Sequence, residues 1–329
     1  MRNLGTIKAI HPAILFFGIF FSIDLAAQQD SSVSIGKKVV TLKEVVVRNN
    51  LNVPGFIEKV KNDTTFYKAF KNLKILGYTA LNDIRMRDKE DNEVAALQSK
   101  TEQVEKNGCR STLVLEEKTS GDIYDENKNW NYYTGELYAG LLFANGTICG
   151  ENNIVKGSDL SIKNKRGIEK HKEQLKMLFF NPGKKIPGIP FIGDKIAIFD
   201  DAVSPLYDFV IDMADYQGQL CYVFTVKARA DLSSSRKNDI VINEMVTWFN
   251  SKSLEIVGRT YDISYDAAVY DFNVQMEVQM DKFEDLLVPK LIRYNGNWHA
   301  IFKKRERGVF TATLFGFNKG QGNNMSPGL

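Results

Sequence analysis

The sequence predicts an α+β fold, a large curved antiparallel sheet (a half-barrel of about 10–11 strands) with one or two helices in its concavity. From residue 207 to 317, alternating apolar and polar residues recur in short runs joined by turn residues, the pattern of a meander with one face on a core and one in water. Two stretches, after Pro54 and within 166–180, instead carry apolar residues at helical spacing. Adjacent strands rotate by ~20–25°, so a sheet this wide curls around a filling, and the two helical stretches supply it.

The chain opens with an export pattern. Arg2 and Lys8 form a positive n-region, 13–23 (AILFFGIFFSI) an apolar h-region, and Leu25-Ala26-Ala27 a small-residue cut site before Gln28. This predicts a signal peptide over 1–27 and a protein of the periplasm or envelope, soluble after cleavage. The apolar run is shorter than the ~20 residues a membrane helix needs. Residues 28–52 read as an extended N-terminal linker with one extended patch, VVTLKEVVV (39–47), which is either a small strand or linker. Residues 53–318 are expected to form a single curved-sheet domain with a helix-and-loop insertion at about 150–205, and 319–329 a disordered tail.

Within that domain, Pro54 suits a first helical turn, and Phe56, Val60, Tyr67, Phe70 and Leu73 share a helix face that Asp63-Thr64-Thr65 weakens in the middle. Strands are expected at 75–87, 93–104 and 110–118, a polar loop at 119–131, and a further strand at 132–144 (YYTGELYAGLLFA). A helix over 166–180 stops at Asn181-Pro182-Gly183. The loop 181–193 (NPGKKIPGIPFIG) combines three prolines and three glycines with Ile186, Ile189, Phe191 and Ile192. Proline and glycine forbid a regular element, yet the large apolar groups are costly to leave in water. The loop is therefore either pinned to the core or a lid over a ligand. Among the later strands, Phe272, Val274, Met276, Val278 and Met280 alternate with Asn273, Gln275, Glu277 and Gln279, and Asn295-Gly296-Asn297 reads as a turn between two strands.

Charged residues make up 25% and hydrophobic ones 43% of the chain, ordinary for a globular protein. Without the signal the formal charge falls from +3 to about +2, which implies no polyanionic partner. The basic cluster Lys303-Lys304-Arg305 with Arg307 reads as a solvated strand end, so no nucleic acid is expected. Of the three cysteines, Cys221 lies in an apolar strand pattern, which leaves Cys109 and Cys149 as the candidate disulfide; spacing alone does not fix it.

No cofactor and no metal site are expected, since the chain lacks H-E-x-x-H, P-loop, G-x-G-x-x-G, G-x-S-x-G and EF-hand patterns. His171 and His299 sit in polar surroundings, and no catalytic residue is assigned. The acidic groups Asp200, Asp201, Asp208, Asp212 and Asp215, and Asp262, Asp266 and Asp271, keep a carboxylate-dependent hydrolase as an alternative.

The order of elements, with WFNSKSLEIVGR (248–259) and LLVPKLIRYNGNW (286–298), resembles the periplasmic lipoprotein-sorting carrier superfamily, whose half-barrels hold acyl chains. The opening VVTLKEVVV resembles, more weakly, the end of regulatory-like domains of Bacteroidota envelope proteins. The carrier resemblance implies a non-catalytic envelope protein that binds a lipid or acyl ligand. The residues expected to line its cavity are Ile186, Ile189, Phe191, Ile192, Phe272, Met276 and Met280. A structural or assembly role with an envelope protein partner is the other alternative.

Overall fold

The computed structural model describes residues 31–48, 51–155, 177–178, 181–186, 191–267, 270–300 and 304–320. The chain enters through a hairpin, β1 (Ser31–Ile35) and β2 (Lys38–Leu42), then a short helix α1 (Glu44–Arg48). Helices α2 (Val53–Asn62) and α3 (Thr65–Asn72) follow, then strands β3 (Gly77–Arg87), β4 (Glu93–Lys106) and β5 (Cys109–Gly121). Helix α4 (Tyr133–Leu142) and the short β6 (Thr147–Cys149) come next. The second half is a run of strands: β7 (Tyr207–Tyr216), β8 (Gln219–Ala228), β9 (Ile242–Asn250), β10 (Ile256–Asp266), β11 (Tyr270–Phe283), β12 (Leu286–Ala300) and β13 (Glu306–Asn318).

All thirteen strands form one open sheet, in the order β1-β2-β7-β8-β9-β10-β11-β12-β13-β3-β4-β5-β6. β7 to β13 are the expected meander, each pairing antiparallel with the next. The last strand then pairs with β3, so the early hairpin extends the sheet beyond its C-terminal edge. Among the described residues the single parallel pair is β2 with β7.

Period-two patterning sets the two faces. Along β11, Phe272, Val274, Met276, Val278 and Met280 are buried while Asn273 and Gln275 are exposed, as the alternation predicts. On the inner face the helices act as filling. Asp63 breaks the expected long helix into α2 and α3 by capping the second: its Oδ1 accepts from Thr65 N and Oγ1 (3.3 and 2.6 Å) and its Oδ2 from Phe66 N (3.5 Å). Phe56 of α2 then sits among Phe249, Tyr222 and Phe224, ring centroids 5.2–6.2 Å apart. Aromatic pairs at this spacing favour such tilted and edge-on contacts.

Four local expectations are corrected. Residues 132–144 are not a strand: α4 buries Thr134, Tyr138 and Leu142 at a spacing of four, a helical period, against β13, with Tyr138 and Phe310 centroids 4.2 Å apart. Asn295-Gly296-Asn297 is not a turn: all three lie mid-strand in β12, paired on both sides. Gly296 is needed there because a side chain would collide with the Tyr294 ring and Val274. Residues 31–42, expected as extended linker with at most one small strand from 39, are instead a two-stranded hairpin that joins the sheet edge. That hairpin and β6 bring the strand count above the expected 10–11. The signal peptide, most of the 166–180 helix and the tail beyond Gly320 lie outside the described residues, as do His171 and Ile189. Among the described residues no helix is long and apolar enough to cross a membrane.

Candidate functional site on the inner face of the half-barrel

The inner face is largely apolar, from Phe209 and Ile211 on β7 to Ala80 and Ile84 on β3, with a few buried polar groups such as Asn82 and Thr247 set into it. Such a face stays out of water only if something covers it, at ~25 cal/mol per Å². Three separate pieces do so here: the α2–α3 pair, α4, and the segment 191–203. That segment is built of turns, yet it buries Ile192, Ile196 and Ile198, and Phe199 stacks on Phe209 and Phe224 at 6.1 and 6.3 Å. Ile186 joins it through a hydrogen bond from its N–H to Gly193 O (3.2 Å).

The backbone bonding of 191–203 sets it apart. Among the described residues its backbone hydrogen bonds run only within 186–206, as in Ile196 N to Ile192 O (3.3 Å), Ala197 N to Asp194 O (3.1 Å) and, at the turn that leads into β7, Leu206 N to Val203 O (3.0 Å). None of these bonds reaches a strand. Side chains hold it instead. Lys195 Nζ donates to Tyr265 Oη and Asn238 O, both at 3.0 Å, and lies 3.1 Å from an Asp239 carboxylate oxygen.

Of the residues expected to line a cavity, Ile186, Ile192, Phe272, Met276 and Met280 are all buried on this face. The structure places Phe191 otherwise: it is 61% exposed with φ +68°, in the left-handed region that a bulky residue seldom adopts. Cys109 and Cys149, opposite each other in the β5–β6 pair, are joined by a disulfide, and Cys221 is free and buried on β8.

Two cations that sequence reasoning missed enter the same interior. Arg259 on β10 is 6% exposed, and burial pulls its guanidinium down to about 10 from its usual range. Its Nε donates to Thr247 Oγ1 (2.9 Å), and the group lies over the Phe66 ring, 4.2 Å from the centroid. Lys184 is also lowered, first by burial, with the charges of Arg259 and Lys61 adding to the effect and Asp63 opposing it. The signal for Arg259 was available: it shares strand parity with Tyr261 and Ile263, which places it inward.

The outer face is polar. It carries two shallow depressions of about 460 and 560 Å³, the first around Asp262, Glu277 and Arg293, the second around Asp83, Lys100 and Glu116. The carboxylates held open for hydrolysis are dispersed: Asp200 and Asp201 lie in the segment 191–203, and the others are spread over β7, β10 and β11. Asp262 accepts from Asn243 Nδ2 (2.7 Å) and Gln275 Nε2 (3.3 Å), and Asp266 is exposed at the strand end. His299 Nδ1 is 3.4 Å from Asp271 Oδ2, whose other oxygen pairs with Arg305 at 2.5 Å.

No family model matches the chain, and no curated protein matches it. It is similar to several solved structures at low identity. One is a DUF1329 family protein from Desulfovibrio piger, at 10% identity and TM-score 0.24, covering 78% of this chain and 94% of that one. A second is a LolA superfamily protein from Nitrosomonas europaea, at 9% identity and TM-score 0.23, covering 79% and 94%. A third is a putative outer membrane lipoprotein-sorting protein domain from Vibrio parahaemolyticus, at 7% identity and TM-score 0.24, covering 74% and 84%. At TM-scores of this size a likeness says nothing about activity or ligand.

Proposed function

We propose that this is a non-catalytic exported protein of the periplasm or envelope. It holds a lipid or other apolar ligand between the inner face of its sheet and the segment 191–203. One observation carries the reading: an apolar plug of turns whose backbone bonds, among the described residues, stay within 186–206 and reach no strand. Ile192, Ile196 and Ile198 do for the sheet what a hydrocarbon chain would do, so plug and chain are interchangeable fillings. Because no backbone bond to a strand need break, the plug can lift as a unit. Met245, Met276 and Met280 on the inner face are unbranched and adapt to a new filling.

The test is native mass spectrometry of protein purified gently from its host, followed by titration of the stripped protein with a fluorescent fatty-acid probe. Co-purifying lipid and saturable probe binding are expected. A protein that emerges bare and takes up no probe defeats the proposal.

A further inference from the structure

Most of the inner face is accounted for by apolar packing and by buried polar groups that bond one another, such as Asn82 with Ser99 and Tyr138, whereas Arg259 is a buried charge. A guanidinium carries five donors in a fixed fork. Here Nε is taken by Thr247 Oγ1. Among the described residues, no other hydrogen bond to the group is formed and no carboxylate lies within ion-pair distance of it. Asp63, the carboxylate that acts on it through space, is already committed to the start of α3 through Thr65 and Phe66. Lys184, half-buried, sets a second cation at the edge of the same interior: its Nζ donates to the carbonyl of Lys61 and lies 6.0 Å from the centroid of the Phe199 ring. Among the described residues, these two cations share one carboxylate that is hydrogen-bonded elsewhere.

A charge taken out of water without a partner is costly, and an apolar residue of similar size in its place is commonly neutral or stabilising. A position enclosed by Phe66, Tyr261 and Val278 favours such a residue, yet it holds arginine. Thr247 fixes the fork through Nε, which leaves the paired Nη donors for a planar or tetrahedral anion.

We infer that Arg259 and Lys184 receive the anionic head of an amphiphile, a carboxylate or a monoalkyl phosphate, whose chain lies along the apolar inner face. This rests on the reading of that face as an apolar-ligand site and adds the chemistry of the head. A free hydrated ion does not suit the place, because the surroundings offer hydrocarbon and aromatic rings to whatever is attached to the anion.

The test uses stripped full-length protein titrated with hexadecanoate, hexadecyl phosphate, hexadecanol and inorganic phosphate. At least one of the two anionic amphiphiles is expected to bind about tenfold or more tighter than the alcohol, as charge-assisted hydrogen bonds imply. The tighter of the two heads identifies the source of the anion. Inorganic phosphate alone is expected not to bind.

Arg259→Met and Lys184→Met should each shrink the preference for an anionic head over hexadecanol. Ligand-free Arg259→Met should melt no lower than the parent, an outcome that a purely structural arginine does not give. Should Arg259→Met fail to fold, Lys184→Met and the comparison of heads in the parent protein still decide. Equal binding of acid, phosphate and alcohol by the parent overturns the inference and leaves the apolar-ligand reading intact. So does a preference that survives in the variants. If no chain binds at all, both fall.

Discussion

Glu306 on β13 caps α4 at Thr134, 172 residues earlier in the chain. Its Oε2 accepts from Thr134 N and Oγ1, each at 2.7 Å, and its Oε1 from Tyr133 N at 2.8 Å. Trp298 Nε1 completes the junction with a 2.7 Å bond to Thr134 Oγ1. A helix start leaves N–H groups unsatisfied, and here a strand supplies the acceptor that the local sequence lacks. Glu306→Ala should therefore cost about 1–3 kcal/mol in urea unfolding, and Glu306→Gln, which keeps one carbonyl oxygen, less. Equal stability of all three proteins would show that the cap does not hold α4.

A second polar junction predicts a pH dependence. Arg110, buried on β5, donates through Nε to Glu151 Oε2 (2.5 Å) and through Nη1 to Gln103 Oε1 (2.9 Å), while Lys74 Nζ reaches Glu151 Oε1 at 2.6 Å. Burial raises the Glu151 carboxyl, but the bonds from Arg110 and Lys74 outweigh it and hold the group below its usual 4.5. A carboxyl depressed in the folded state adds stability that is fully present above its unfolded value. That stability is lost as pH falls through the folded value. Glu151→Gln should cost about 2–3 kcal/mol at pH 7, because it leaves Arg110 buried beside a neutral amide. It should also flatten the decline in stability below about pH 4.5. An acid-unfolding profile parallel to the parent's would rule this out.

What was legible in the sequence was what short-range patterning controls. The β7–β13 meander and the inward set on β11 follow from alternation alone. What was not legible depended on distant partners. The segment 132–144 reads as a strand from its aromatic and leucine content, but the Glu306 acceptor that starts α4 lies far along the chain. Asn295-Gly296-Asn297 carries turn residues, but β11 and β13 hold it extended on both sides, and the glycine serves the Tyr294 ring instead. In the candidate site, Ile186 and Ile192 were readable as apolar groups in a loop that polar solvation does not explain, whereas Ile196 and Ile198 lie beyond the loop so read. Arg259 was readable only by following strand parity against the expectation that arginine faces water.

The β11 register gives the most direct mutational check of the inner face. Phe272 is 7% exposed and Val274 fully buried, whereas Gln275 lies on the outer face beside Asp262. Phe272→Ala should cost about 3–5 kcal/mol in chemical denaturation through lost burial and the cavity left behind. Gln275→Ala should stay within about 0.5 kcal/mol. Small, equal effects would mean that the two faces are assigned the wrong way round.

The plug is held at its sheet end by Lys195. The ammonium bonds Tyr265 Oη and Asn238 O, pairs with Asp239, and lies over the Tyr265 ring, 5.0 Å from the centroid. None of these contacts is deep in the core, and an ion pair as exposed as this one is worth at most about 1 kcal/mol. Lys195→Met should therefore leave global unfolding nearly unchanged while weakening closure of 191–203 by about 1 kcal/mol. If the open plug admits the ligand, its population rises about fivefold, and so does the association rate of an apolar probe. Amide hydrogen exchange across Ile196 and Ile198 should accelerate by the same factor, since those N–H groups bond only within the segment. Faster exchange with an unchanged probe association rate would separate opening of the plug from ligand entry. The inner face would then load by another route, past α2–α3 or α4.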